Sequence, residues 1–187
     1  MAPLRTVGVA IPIPEPYGAE LQHRRESFGD PLALQIPTHI TLVPPTVVDT
    51  ADLPRVIEHL TQVAATSEGF RIRLRGTGTF RPVSPVVFVT VVEGIAPCGL
   101  LQEKLRRSPL ERELVFPYHP HVTVAHNLDN VTLDRAFKEL AGFHASFEAD
   151  GFALYEHGPD GVWRPQRDSG SGCAARGRSG RCRPWCS

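Results

Sequence analysis

Two tetrads of one pattern stand eighty-two residues apart, His39-Ile40-Thr41-Leu42 and His121-Val122-Thr123-Val124. Composition alone predicts ~0.09 occurrences of His-apolar-Thr-apolar, so a pair is far above chance. On a strand, successive side chains point to opposite faces. His39 and Thr41 therefore share one face while Ile40 and Leu42 enter a core, and His121 and Thr123 do likewise. A face that presents an imidazole beside a hydroxyl, twice, suits proton transfer at an anionic centre. Imidazole titrates near pH 6.5, so one ring can serve as base and the other as acid at neutral pH. The hydroxyls of Thr41 and Thr123 can donate to oxygens on which charge grows. Displacement at phosphorus needs that set: a deprotonated water on one side, a protonated leaving oxygen on the other.

Other residue types near the tetrads invite weaker readings. His119-Pro120-His121 has the His-x-His spacing of a metal pair on a strand. No carboxylate or further histidine follows in phase, so no metal is expected. Tyr118, Tyr155 and Trp163 have aromatic faces that can hold a nucleobase, with core or rim packing as the plain alternative. Arg71, Arg73 and Arg75 alternate along one segment as a basic stripe or as a solvated strand edge, and Arg81, Arg164 and Arg167 are further cation candidates. His144-Ala145-Ser146-Phe147 is a decoy tetrad, and His23, His59, His144 and His157 carry no assigned role.

The elements that must position these groups are legible from periodicity. Strands are expected over 5–13, 36–43, 70–80, 86–92, 121–125, 143–147, 152–155 and 162–164. Pro44-Pro45 is expected to end the first motif strand by removing amide donors. Segments 16–28, 52–67, 95–107 and 133–140 read as helices, the second with Val56, Leu60 and Val63-Ala64 on one face and Pro54 in its first turn. Each motif strand is followed by a helix, a Gly-Phe pair (Gly69-Phe70, Gly142-Phe143) and two strands, a weak repeat that reads as two related lobes.

The chain has 187 residues, 41% apolar and 21% charged, with twenty basic and twenty acidic groups. No apolar run is long enough to span a membrane, and the start fails as a signal peptide. A soluble, cytoplasmic protein is expected, with no membrane partner. Arg176, Arg178, Arg181 and Arg183 crowd the last twenty residues, which leaves 1–167 with sixteen basic against nineteen acidic groups. Such a body is unsuited to gripping long duplex nucleic acid by its phosphates. Cys173, Cys182 and Cys186 lie in the same segment and Cys98 stands alone, which is no disulfide framework. One domain over 1–167 and a disordered Gly/Ser/Arg/Cys tail over 168–187 are expected.

With both tetrads in hand, the chain resembles the 2H phosphoesterase superfamily, in its bacterial branch of 2′-5′ RNA ligase and RNA 2′,3′-cyclic phosphodiesterase proteins. The resemblance covers residues 5 to about 167 and rests on the two His-x-Thr-x motifs and their separation. It implies an α+β, LigT-like fold of two lobes, each an antiparallel sheet backed by helices, with the motifs facing across a central cleft and neither metal nor cofactor required. His39, Thr41, His121 and Thr123 take the catalytic positions; the resemblance implies that His121 activates water and His39 protonates the leaving oxygen, while the tetrads themselves are too alike for the sequence to assign acid and base. Tyr118, His119, His126 and Trp163 are the expected substrate-binding residues. Many relatives carry an arginine three residues after the second threonine, where this chain has His126; strict alternation would turn that residue away from His121 unless the strand bends.

The expected activity is opening of a 2′,3′-cyclic phosphate on an RNA terminus or a small nucleotide, and a monomer is expected. The rival readings are joining of RNA ends through a 2′-5′ bond and a non-catalytic module that binds a nucleotide.

Overall fold

Alternating burial builds the centre of the molecule. The computed structural model describes residues 3–170. In chain order it has β1 (Leu4–Pro12), α1 (Tyr17–Ser27), β2 (His39–Asp49), α2 (Leu53–Ala65), β3 (Phe70–Thr79), β4 (Val86–Glu93), α3 (Ile95–Leu105), β5 (His121–His126), α4 (Asn130–Glu139), β6 (His144–Ala149), β7 (Gly151–His157) and β8 (Trp163–Gly170), with a short 3-10 turn before α2. All strand pairs are antiparallel, and the order β6-β3-β4-β5-β2-β1-β7-β8 gives two four-stranded halves. One residue pair, Ile40 with Val122, joins them. Val7, Val9 and Ile11 of β1, Ile40 and Leu42 of β2, Val87, Val89 and Val91 of β4, and Val122 and Val124 of β5 are buried in a single core.

Helices cover that core face because their apolar residues recur at helical spacing. Val56, Leu60, Val63 and Ala64 of α2 are buried, with Pro54 in its first turn as expected. Leu133 and Ala136 of α4 are buried, and Asp129 caps that helix by accepting from the Thr132 amide at 3.0 Å. α1 packs on β5 and α3 packs on β2, so each helix crosses the seam to back the other half's motif strand. Gly18 sits where a Cβ would lie 2.4 Å from the Ile13 carbonyl oxygen, which lets α1 start against the end of β1.

Three differences from the sequence reading have physical causes. The halves of the sheet are not the halves of the chain: β7 and β8, the last strands, join β1 and β2, while β3 and β4 join β5 and β6. Repeat order along the chain says nothing about which edge a strand joins. β2 runs straight through Pro44 and Pro45, because the ladder to β1 is interrupted there, with Val43 paired to Val9 and Thr46 to Val7. The prolines sit in the irregular stretch, where no amide donor is needed. β3, with Arg71, Arg73 and Arg75, is an interior strand between β6 and β4 rather than an edge.

The closing strand runs on to Gly170, three residues into the segment read as tail, by backbone pairing with β7. The rest of the tail expectation, over 171–187, lies outside the described residues. Among the described residues no helix is long and apolar enough to cross a membrane.

Candidate active site

The site forms at the seam. Ile40 pairs with Val122 on antiparallel strands, so extending the pairing one residue each way sets His39 opposite Thr123 and Thr41 opposite His121. Each histidine thus faces the other motif's threonine, and the two imidazoles lie on a diagonal of one sheet face. All four side chains are half-buried and line one cleft of about 790 Å³.

Both motif strands bulge at the same point. In β2 the register slips between Thr41 and Val43, and in β5 between Thr123 and Ala125, so Leu42 and Val124 occupy the extra position. A bulge shifts the alternation by one residue. That is how His126, at odd offset from His121, comes to line the cleft, as does Pro44, its counterpart in the first motif.

The imidazoles are held alike. His39 Nδ1 lies 2.7 Å from the Pro37 carbonyl oxygen, and His121 Nδ1 lies 2.7 Å from the His119 carbonyl oxygen. A carbonyl only accepts, so each Nδ1 carries the proton and each Nε2 presents a lone pair. Burial pushes His39 down to about 4 against the upward pull of the Pro37 carbonyl, and the Arg25 guanidinium and His121 lower it further. His121 is also lowered, by burial first and by His119, against the pull of the His119 carbonyl. Thr38, buried before His39, fixes the entry to β2 by donating to the Gly18 carbonyl of α1 at 3.1 Å.

The other expected binding residues also line the cleft. Tyr118 is packed against the core, and its phenol donates to the Thr41 carbonyl at 2.9 Å. It ties the approach to β5 onto the first motif strand. The His119 ring stands edge-on to Phe80, at 5.6 Å between centroids, and 5.9 Å from the His121 ring. No third group joins these two histidines: among the described residues no three His, Cys, Asp or Glu side chains gather as metal ligands. Trp163 covers the far side, packed with Ala10, Ala153 and Tyr155. A Cβ at Gly8 would touch its ring at 3.4 Å, so the indole lies directly over that glycine.

Of the cation candidates, none of Arg71, Arg73, Arg75, Arg81 and Arg164 lines the cleft. Arg71 pairs with Glu148 at 3.1 Å, Arg73 with Glu93 at 3.6 Å, Arg81 with Asp134 at 2.8 Å and Arg164 with Asp160 at 2.5 Å. The Arg167 side chain lies outside the described residues.

Sequence reasoning passed over Phe80 and Arg25, which line the cleft, and Phe88, which packs against His121. Phe80 and Phe88 flank His121, with centroids 4.9 and 5.1 Å from its ring. Arg25 lines the cleft from α1. Its signal was an arginine four residues after Leu21, on the helix face that turns inward.

Comparison with known proteins gives the same architecture. The family profile of the 2′-5′ RNA ligase superfamily matches residues 13–161. An Oceanobacillus iheyensis protein, provisionally named a phosphoesterase, is 28% identical over 128 residues, covering 68% of this chain and 71% of its own. A Halalkalibacterium halodurans protein with the same provisional name is 32% identical over 99 residues, covering 53% of this chain and 57% of its own. Escherichia coli LigT, in its complex with 3′-AMP, superposes with a TM-score of 0.59 at 19% identity over 89% of this chain and 97% of LigT. The Thermus thermophilus protein TT0787 gives 0.58 at 22% identity over the same shares. At those identities the two structures speak for the fold.

Proposed function

The chain belongs to the 2′-5′ RNA ligase superfamily of 2H phosphoesterases, and from that premise we propose that it is a metal-independent phosphodiesterase that opens a 2′,3′-cyclic phosphate on an RNA terminus or a small nucleotide. The observation that supports this reading is the crossed pairing of the tetrads at Ile40 and Val122, with the side chains of His39, Thr41, His121 and Thr123 lining one cleft. A phosphorus atom there has a base on one side and an acid on the other.

The division of labour follows from the surroundings. We assign the base to His39, whose ring is driven down to about 4 by burial and by the Arg25 guanidinium, and the acid to His121. His39 Nε2 therefore takes the proton from the attacking water. His121, protonated at Nε2 and still donating from Nδ1 to the His119 carbonyl, gives its proton to the departing ribose oxygen. This reverses the assignment that the family resemblance implies. Thr41 and Thr123 donate to the non-bridging oxygens, where a second negative charge grows as water adds to phosphorus. The proton count balances: water supplies a hydroxyl to phosphorus and a proton to His39, and His121 supplies one to the alkoxide.

The walls suit a nucleoside. Val83, Val115, Phe116 and Trp163 line the cleft as apolar surfaces for a base and sugar. LigT, of the same fold, is known in complexes with 3′-AMP and with phosphate, and a small or terminal phosphate ester is the substrate class those complexes support. The same two histidines serve end-joining by microscopic reversibility, and water at high concentration favours hydrolysis.

The test is turnover of 2′,3′-cyclic nucleoside monophosphates by the purified chain with and without chelator. The expected result is a nucleoside monophosphate at equal rates in both. Ligated product from RNA bearing a cyclic-phosphate end and a 5′-hydroxyl end, exceeding hydrolysis, would establish the ligase; binding without turnover would establish a nucleotide-binding module; loss of turnover on chelation would overturn metal independence.

A further inference from the structure

The chemistry proposed above leaves a charge uncompensated. A cyclic phosphodiester arrives with one negative charge and gains another in the transition state, while both imidazoles are depressed toward neutrality and the threonines supply dipoles only. Where many relatives place an arginine, this chain has His126. Among the described lining residues, two are arginines. Arg112 is exposed, and one of its terminal nitrogens already donates to the Pro45 carbonyl oxygen.

Arg25 is different. Its residue exposure is 3%, and it lies on the inward face of α1. Its Nε donates to Asp30 Oδ2 at 2.8 Å, and Asp30 in turn accepts from the Leu32 amide at 2.9 Å through Oδ1. The anchor therefore holds the guanidinium by one edge. No other hydrogen bond to its side chain occurs among the described residues, which leaves the terminal nitrogens uncommitted on a side chain that lines the cleft. Guanidinium keeps its charge when buried, and its planar fork matches two oxygens of a phosphate. A cation fixed by one partner before the ligand arrives loses little freedom on binding.

Resting on the phosphodiesterase reading, we propose that Arg25 is the phosphate-binding cation of this site: its terminal guanidinium nitrogens receive the non-bridging oxygens beside His39, and Asp30 aims it. It would supply from the first half of the molecule the charge that the second half lacks at His126. It is also among the groups that hold His39 neutral, so one residue serves both the anion and the base.

The plain alternative is a buried ion pair that only steadies the turn after α1. Removing Arg25 alone would strand the Asp30 carboxylate, so the informative variants of the full chain are Arg25→Lys and the paired Arg25→Gln/Asp30→Asn. The probe is inorganic phosphate, followed by calorimetry and as a competitive inhibitor, with thermal unfolding measured alongside. The paired variant should unfold cooperatively, bind phosphate about tenfold more weakly or worse, and lose on the order of 10² in kcat/KM. Arg25→Lys should fall between, having charge without the fork. In the paired variant the His39 ring resonances should titrate at higher pH than in the parent chain.

Unchanged phosphate affinity in a folded variant overturns the proposal, as does failure of the parent chain to bind phosphate. Phosphate binding that needs Arg25 in a chain that turns over no cyclic phosphate would sink the phosphodiesterase reading and leave the Arg25 site standing.

Discussion

Across the ladder from Thr41 stands Ala10, and across from Thr123 stands Phe88. The two motif strands share their bulge, their tautomer lock and their opposed hydroxyls, yet Ala10 packs against Trp163 while Phe88 and Phe80 stand against His121. Arg25 adds a cation on the first side; His119 and His126 line the second. A duplicated frame with unequal surroundings can drive two identical side chains toward opposite jobs, because a pKa answers to neighbours within a few ångströms and not to the motif.

The largest expected effect tests whether the halves act as one unit. His39→Ala and His121→Ala should each lower kcat by about 10² to 10⁴, and the double variant should lie within about tenfold of either single one. Losses that multiply would break the pairing. A substrate whose leaving group departs without a proton, such as a p-nitrophenyl phosphodiester, should then separate the roles: His121→Ala should recover on the order of 10² relative to the cyclic nucleotide, while His39→Ala stays slow. Recovery by His39→Ala instead would restore the assignment that the resemblance implied.

Smaller effects sharpen the comparison. Thr41→Val and Thr123→Val should each cost about 10 to 10² in kcat with little change in KM, since the hydroxyls act on charge that appears in the transition state. The pH profile of kcat/KM should be a bell lying below pH 6.5. Its acid limb, near pH 4, is deprotonation of His39, and its alkaline limb is loss of the proton from His121, whose value is also below 6.5. Bound phosphate is anionic and should move the kcat profile to higher pH. An optimum above pH 7 for kcat/KM would contradict the depressed imidazoles.

Stability should show the same asymmetry faintly. The folded chain binds a proton at His39 only near pH 4, the unfolded chain near 6.5, so folding stability contributed by the neutral ring is complete above 6.5 and declines as pH falls toward 4. His39→Gln should flatten that decline by on the order of 1 kcal/mol, given the half-exposed ring. Denaturant midpoints at pH 7 and pH 4.5 would measure it.

Much of this was legible in one dimension. Periodicity placed the strands and helices, and the repeated tetrad picked out His39, Thr41, His121 and Thr123, because alternation is a local rule and a side chain's face follows from its neighbours in sequence. The prolines at 44 and 45 misled for the same reason: a local rule about missing donors ignores whether a partner strand would have used them. His126 required a bulge, and a bulge depends on two strands. Phe80 and Phe88 were silent in the sequence, since nothing local distinguishes a phenylalanine whose partner lies across a ladder; Arg25 was marked only by its spacing from Leu21, which does not say that it turns inward beside a histidine fourteen residues on.

By itself, then, the sequence determined the α+β element set, the pair of motif strands and the chemical types available for phosphoryl chemistry. Tertiary structure alone decided that the lobes interleave along the chain, that each histidine meets the other motif's threonine, and that one imidazole lies near a buried guanidinium while the other sits among aromatic rings. Pairing across a seam, and the electrostatics it creates, depend on distances between residues far apart in sequence, and no pattern read along the chain encodes them.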